Sequence, residues 1–140
     1  MDTATFAANL EDVTNIIKNA GCSPILVTSL CRRTFSGGTL TDILGPYSDQ
    51  TIAVAKKLNL PVLPLLADCQ AYVQKLGKAN AMQFNLDYST TNKDTTHLND
   101  LGSKYFGRIV ADEVKINVPA LAANIKADPA LSAKIAAGIL

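Results

Sequence analysis

The sequence predicts an α/β fold with parallel strands, and three observations carry that expectation. Two short apolar runs, at residues 24–30 and 62–67, are nearly continuous rather than alternating, as in strands buried on both faces. A segment of helical period separates them, and strand–helix–strand order implies parallel pairing through a right-handed crossover. Further helical patterns stand before the first run and after the second. At 140 residues, with 48% hydrophobic and 18% charged residues, the chain suits one globular domain with its own core.

Phe6, Leu10, Val13, Ile16 and Ile17 share one face of an opening helix, with Thr3 or Thr5 as N-cap and Gly21 as its end. The first strand, 24–30, leads into a polar loop from Cys31 to Pro46, broken by Gly37-Gly38 and Gly45-Pro46. Ile52, Ala55 and Leu58 mark a second helix that starts near Ser48 or Asp49. After the second strand, Asp68 is expected to cap a helix carrying Tyr72, Val73 and Leu76, closed by Gly77. Residues 78–94 lose the pattern and read as irregular. Asn99 is the expected N-cap of a long helix whose face is Leu101, Tyr105, Ile109 and Val110. Two shorter helical pieces open on Pro119 and Pro129, so 116–140 reads as a helical extension of a single domain, 1–140.

Charge and composition exclude several functions. Net charge is +1 and the thirteen basic residues are scattered, so no stripe exists to neutralise phosphates and no nucleic-acid partner is expected. The longest apolar run, Leu60 to Ala67, contains two prolines and is too short to cross a bilayer, so no membrane partner is expected. The chain opens Met1-Asp2-Thr3 without a basic and apolar leader, so as written it carries no secretory signal. Cys22, Cys31 and Cys69 lack metal-ligand spacing. Buried free thiols are the first expectation for them, and a Cys31–Cys69 bridge is the alternative. A Cys22–Cys31 bridge is disfavoured by the extended strand between them.

Asp94-Thr-Thr-His97 holds the single histidine of the chain, with a carboxylate three residues before it. A loop aspartate at that spacing reaches one imidazole nitrogen and leaves the other free to accept a proton from a hydroxyl nucleophile. Ser36, Ser89 and Ser103 are candidate hydroxyls, and Ser36 is expected in a flexible loop that would fix it poorly. Arg32-Arg33, just past the first strand, could bind a carboxylate in a fork, against the plainer reading that the pair bonds loop carbonyls or Asp42.

Four segments carry a resemblance: Ile25 to Arg33, Tyr47 to Asn59, Leu60 to Leu65, and Asp94-Thr-Thr-His97-Leu-Asn-Asp-Leu-Gly102. Together they resemble the C-terminal part of an SGNH (GDSL-like) hydrolase, most like the rhamnogalacturonan acetylesterase group. The resemblance covers most of residues 6–115 and implies a partial flavodoxin-like, three-layer fold. It gives His97 the role of catalytic base and Asp94 that of its orienter, with no metal or organic cofactor. The implied reaction removes O-acetyl groups from a polysaccharide such as rhamnogalacturonan, or from a small ester. Members of that family are usually exported.

The chain also departs from the family pattern. It has no Gly-Asp-Ser nucleophile block and no Gly-x-Asn-Asp before its first helix, so the N-terminal strands, nucleophile and oxyanion donors of the family are not matched. The expectation is therefore a truncated domain. Its unpaired sheet edge would favour self-association, or pairing with a separate fragment. The alternative function is a catalytically inactive fragment or interaction module.

Overall fold

The computed structural model describes residues 1–86 and 94–140. Helices α1 (Thr3–Asn19), α2 (Gly45–Lys57), α3 (Leu65–Leu76), α4 (Lys78–Ala81), α5 (Asp100–Asn117) and α6 (Pro129–Ala137) surround short strands β1 (Leu26–Val27), β2 (Phe35–Ser36), β3 (Thr39–Leu40) and β4 (Val62–Leu63). β1 and β4 pair in parallel, Leu26 with Val62 and Val27 with Leu63, joined by α2 as the crossover. The architecture is α/β, mostly helical with a small parallel sheet.

The strands are much shorter than the apolar runs that announced them. Pro61 and Pro64 flank β4 and have no N–H to donate, so the ladder closes with Leu26 N–H on the Pro61 carbonyl and Thr28 N–H on that of Leu63. Leu65 and Leu66 then begin α3 rather than continue the strand. Asp68 is not its cap, as expected from sequence, but lies in the first turn. The orphan N–H of Leu66 is taken instead by Thr28 Oγ1, 2.9 Å away at the end of β1.

Leu26 and Val62 face one apolar cluster, with Ala7 and Leu10 of α1 and Val54, Ala55 and Leu58 of α2 and its end. α1 packs along α2 through Phe6 on Tyr47 and through the stripe that contains buried Thr14. Val13, Ile16 and Ile17, expected on that buried face, are exposed, and Asp2 rather than a threonine supplies the cap. On α2, Ser48, Thr51, Val54 and Ala55 are buried and Ile52 is exposed, with Thr51 Oγ1 bonded back to the Tyr47 carbonyl.

The larger core lies among α3, α5 and α6, where Tyr72, Phe84, Tyr105 and Phe106 stack edge and face at 5.2–6.2 Å between rings. Residues 78–86 are not irregular: α4 and a 3-10 turn at Met82–Phe84 carry buried Ala81 and Phe84 into this core. α5 buries Tyr105 and Ile109 of the expected face, with Phe106 beside them and Val110 packed against the core, while Leu101 stays exposed. Pro119 opens a 3-10 turn rather than an α-helix, and Asp128 caps α6.

The loop after β1 also differs from expectation. β2 and β3 form an antiparallel hairpin whose tip, Gly37-Gly38, has φ of +56° and +84°, a conformation glycine adopts without strain. Cys31 and Cys69 are not free thiols but a disulfide, while Cys22 is free and exposed rather than buried. The docking of Thr28 on α3 brings the two sulfurs together. Among the described residues, β1 is paired on one edge only, and Val27 is 45% exposed. No described helix is long and apolar enough to cross a membrane.

Candidate active site

The polypeptide leaving β1 runs directly to the Asp94–His97 loop. Arg33 N–H donates to the Thr95 carbonyl at 2.9 Å, and the Thr34 and Thr95 hydroxyls lie 2.9 Å apart. On its other side the loop is pinned to residues 84–86. Leu86 N–H donates to the His97 carbonyl, Asn99 N–H to that of Phe84, and Asn85 bridges Leu98. Asn99 caps α5 as expected, accepting from Gly102 N–H at 2.9 Å. Gly102 allows that packing: a Cβ there would stand 2.7 Å from the Phe84 carbonyl oxygen.

Within this frame the Asp94 carboxylate is fully used. Its Oδ1 accepts from the backbone N–H groups of Thr96 and His97 at 2.8 and 3.0 Å, and its Oδ2 lies 2.7 Å from His97 Nδ1. The His97 hydrogen bond, followed by the two backbone bonds, holds the carboxyl well below the usual carboxylate range. Asp94 therefore stays ionised at neutral pH and favours the tautomer in which Nδ1–H donates to its Oδ2 and Nε2 is the acceptor. The His97 side chain is 73% exposed, so that nitrogen is open to an approaching group.

Arg33 holds the site from beneath. Its side chain is 1% exposed, with Nε donating to Asn85 Oδ1 at 2.6 Å and Nη2 to the His97 carbonyl at 2.8 Å. The guanidinium also lies 6.0 Å over the Phe106 ring. Burial lowers its pKa to about 10, and the charge of Asp94 opposes that shift. Arg32 points out to solvent, with Nε on Thr96 Oγ1 at 2.9 Å. Of the arginine pair, Arg32 alone presents its side chain to solvent. Asp42 is bound elsewhere, accepting from Leu44 and Gly45 N–H.

The two described hydroxyl candidates do not complete the arrangement. Ser36 lies exposed in β2 and Ser103 in the first turn of α5, and neither hydrogen bonds to the His97 ring; Ser89 lies outside the described residues. Sequence reasoning missed Asn85, Thr95 and Gly102 as supports. Asn85 and Gly102 carry no local signal of that role, since each acts through contacts between segments distant in the chain.

These features describe an α/β protein with an imidazole–carboxylate pair beyond the carboxyl ends of its parallel strands, where such folds collect their chemistry. Among curated proteins, the chain is 27% identical over 121 residues to the rhamnogalacturonan acetylesterase RhgT of Bacillus subtilis. The match covers 80% of this chain and 52% of that protein, so the chain spans about half the length of the curated relative it matches. No family model matches the chain, and no solved structure does. The likeness supports an SGNH-hydrolase-like relationship, and the architecture is compatible with that fold.

Proposed function

We propose that this chain serves a carboxylic-ester hydrolase of SGNH type that removes O-acetyl groups from a polysaccharide such as rhamnogalacturonan. His97 is the general base and Asp94 its orienter. One observation carries the reading: the 2.7 Å Nδ1–Oδ2 contact, built on an Asp94 already anchored by two backbone N–H groups, beneath an open Nε2. The polysaccharide comes from the named activity of the Bacillus relative.

In this reading Nε2 takes the proton of a hydroxyl nucleophile as its oxygen attacks the acetyl carbonyl. Asp94 stabilises the imidazolium that forms. The proton then passes to the departing sugar oxygen, and water repeats the sequence to release acetate. The nucleophile and oxyanion donors lie outside the contacts described for His97. Losing a nucleophile alone costs on the order of 10⁶ in rate in a serine hydrolase, so their supply governs the activity. The test is acetate release from acetylated rhamnogalacturonan and from p-nitrophenyl acetate, by the purified chain and by His97→Ala. A rate above that of the variant supports turnover by this chain, and equal rates end the case for activity by this chain itself.

The second reading is an interaction module. The single-edged β1, the exposed Val27, and the outward Val13, Ile16 and Ile17 favour it. Sedimentation across a range of concentrations tests it: association is expected, and a monomer throughout counts against self-pairing.

A further inference from the structure

A cavity of about 220 Å³ lies between α3, α5 and α6, remote in sequence and fold from the His97 loop. Its walls include Asp68, Tyr72, Ile109, Glu113, Ile116 and Ile135. Glu113 is 2% exposed, and neither of its carboxylate oxygens meets a hydrogen-bond donor. The group that faces it is another acid, Asp68, at the exposed edge. A buried carboxylate without a donor is costly, and a carboxylate neighbour raises that cost.

Other polar groups in the wall are already engaged. Asp112 accepts from Arg108 Nη2 at 2.8 Å and from the Ser132 hydroxyl at 2.6 Å. Lys75 donates from Nζ to the Ala136 carbonyl at 3.2 Å, and the Tyr72 hydroxyl to the Ile139 carbonyl at 3.1 Å. The unmet demand is for N–H donors carrying positive charge. The remaining wall is aliphatic, and the described residues hold no cluster of three metal-ligating side chains. The volume is below that of common drug-sized sites, about 300–1,000 Å³.

We propose that this cavity binds a small aliphatic ammonium ion, whose N–H groups donate to Glu113 and Asp68 while its carbon chain lies against Ile109, Ile116 and Ile135. Without such a ligand, the buried Glu113 carboxyl keeps its own proton at neutral pH. Burial first, then the charge of neighbouring Asp68, push Glu113 up to about 8. The charged groups lining the cavity beside the pair are Lys75 from α3 and Asp112 from α5, the latter already paired with Arg108; α6 contributes Ser132, Ile135 and Ala136, none of them charged. Binding at neutral pH replaces the Glu113 proton by the ammonium: one proton leaves Glu113 for solvent as one cation enters. Affinity therefore rises with pH through about 8.

The test uses the full chain and propylammonium chloride, with 1-propanol and calcium chloride as controls. Calorimetry is expected to show one saturable site at about pH 9, with affinity roughly 100-fold weaker at about pH 6. Near neutrality, buffers of different ionisation enthalpy should report about one proton released per amine. Glu113→Gln should abolish binding, and Asp68→Asn, at an exposed position, should weaken it about tenfold while preserving the fold. Absence of saturation at about pH 9, binding that survives both substitutions, or saturable binding of calcium or propanol instead would each overturn the proposal.

Discussion

The buried guanidinium of Arg33 donates to the carbonyl oxygen of His97 at 2.8 Å, so the residue with the exposed imidazole is fixed through its own backbone. The same guanidinium reaches Asn85 Oδ1, which ties the loop before α5 to the turn after α4. An imidazole that is open to solvent can thus keep its orientation, because both its peptide and its ring are held. The ring is held by Asp94 and the peptide by Arg33.

Replacing Arg33 by methionine takes the donor from Asn85 Oδ1 and leaves the His97 carbonyl with the Leu86 N–H alone. A loss of about 2–4 kcal/mol in unfolding free energy is expected, read from urea denaturation. Arg33→Lys should recover only part of it, because an ammonium cannot reproduce the fork. A variant as stable as the parent would show that these bonds do not hold the site.

Asp94→Asn keeps the shape but removes the charge that fixes the imidazole tautomer. Any ester turnover that depends on His97 should fall by about 10⁴. Stability should respond as well. The Asp94 carboxyl is depressed in the folded state, so its contribution is present above its unfolded value, 3.8, and is lost as pH falls through the lower folded value. Urea midpoints between about pH 2 and about pH 6 should therefore drop on acidification in the parent and less so in Asp94→Asn.

Glu113 has the opposite sign. Its folded value, about 8, lies above its ordinary value of 4.5, so its contribution is full below 4.5, declines as pH rises, and is gone above about 8. Thermal midpoints across that window should fall with pH in the parent. In Glu113→Gln this decline should be much flatter.

Gly102→Ala sets two effects against each other. Alanine gains about 1 kcal/mol of helix propensity over glycine. Its Cβ, however, would lie 2.7 Å from the Phe84 carbonyl oxygen and 2.9 Å from Leu98 Cδ2. Overpacking costs about 1–3 kcal/mol, and a backbone carbonyl yields little, so a lower melting temperature is expected. A higher one would mean that α5 can shift away from Phe84.

The Cys31–Cys69 disulfide closes 38 residues of chain and lies next to Arg32 and Arg33. Removing it by the paired Cys31→Ser and Cys69→Ser change should cost about 2–4 kcal/mol in chemical denaturation. Cys22→Ser, at an exposed free thiol, should change little and serves as the control. Equal stability of all three proteins would remove the bridge from the account.

The Asp94–His97 contact and the Asn99 cap could be read from sequence because each acts over three residues: a carboxylate reaching forward to an imidazole and an asparagine capping the next helix. Helical periodicity likewise announced α1, α2, α3, α5 and α6, and the two apolar runs announced parallel strands. What local pattern could not show was how far each strand extends and which helix face turns inward. Those depend on what packs against it, as the exposed Ile16 and the buried Thr14 demonstrate on α1. Arg33 is the sharpest case. As a sequence it is one of two adjacent surface-type cations, and only the arrival of Asn85, His97 and Phe106 from distant segments makes it worth burying. Short-range hydrogen bonds are written in residue spacing. Burial, charge pairing and the Cys31–Cys69 bridge are written in contacts that exist only once the chain has folded.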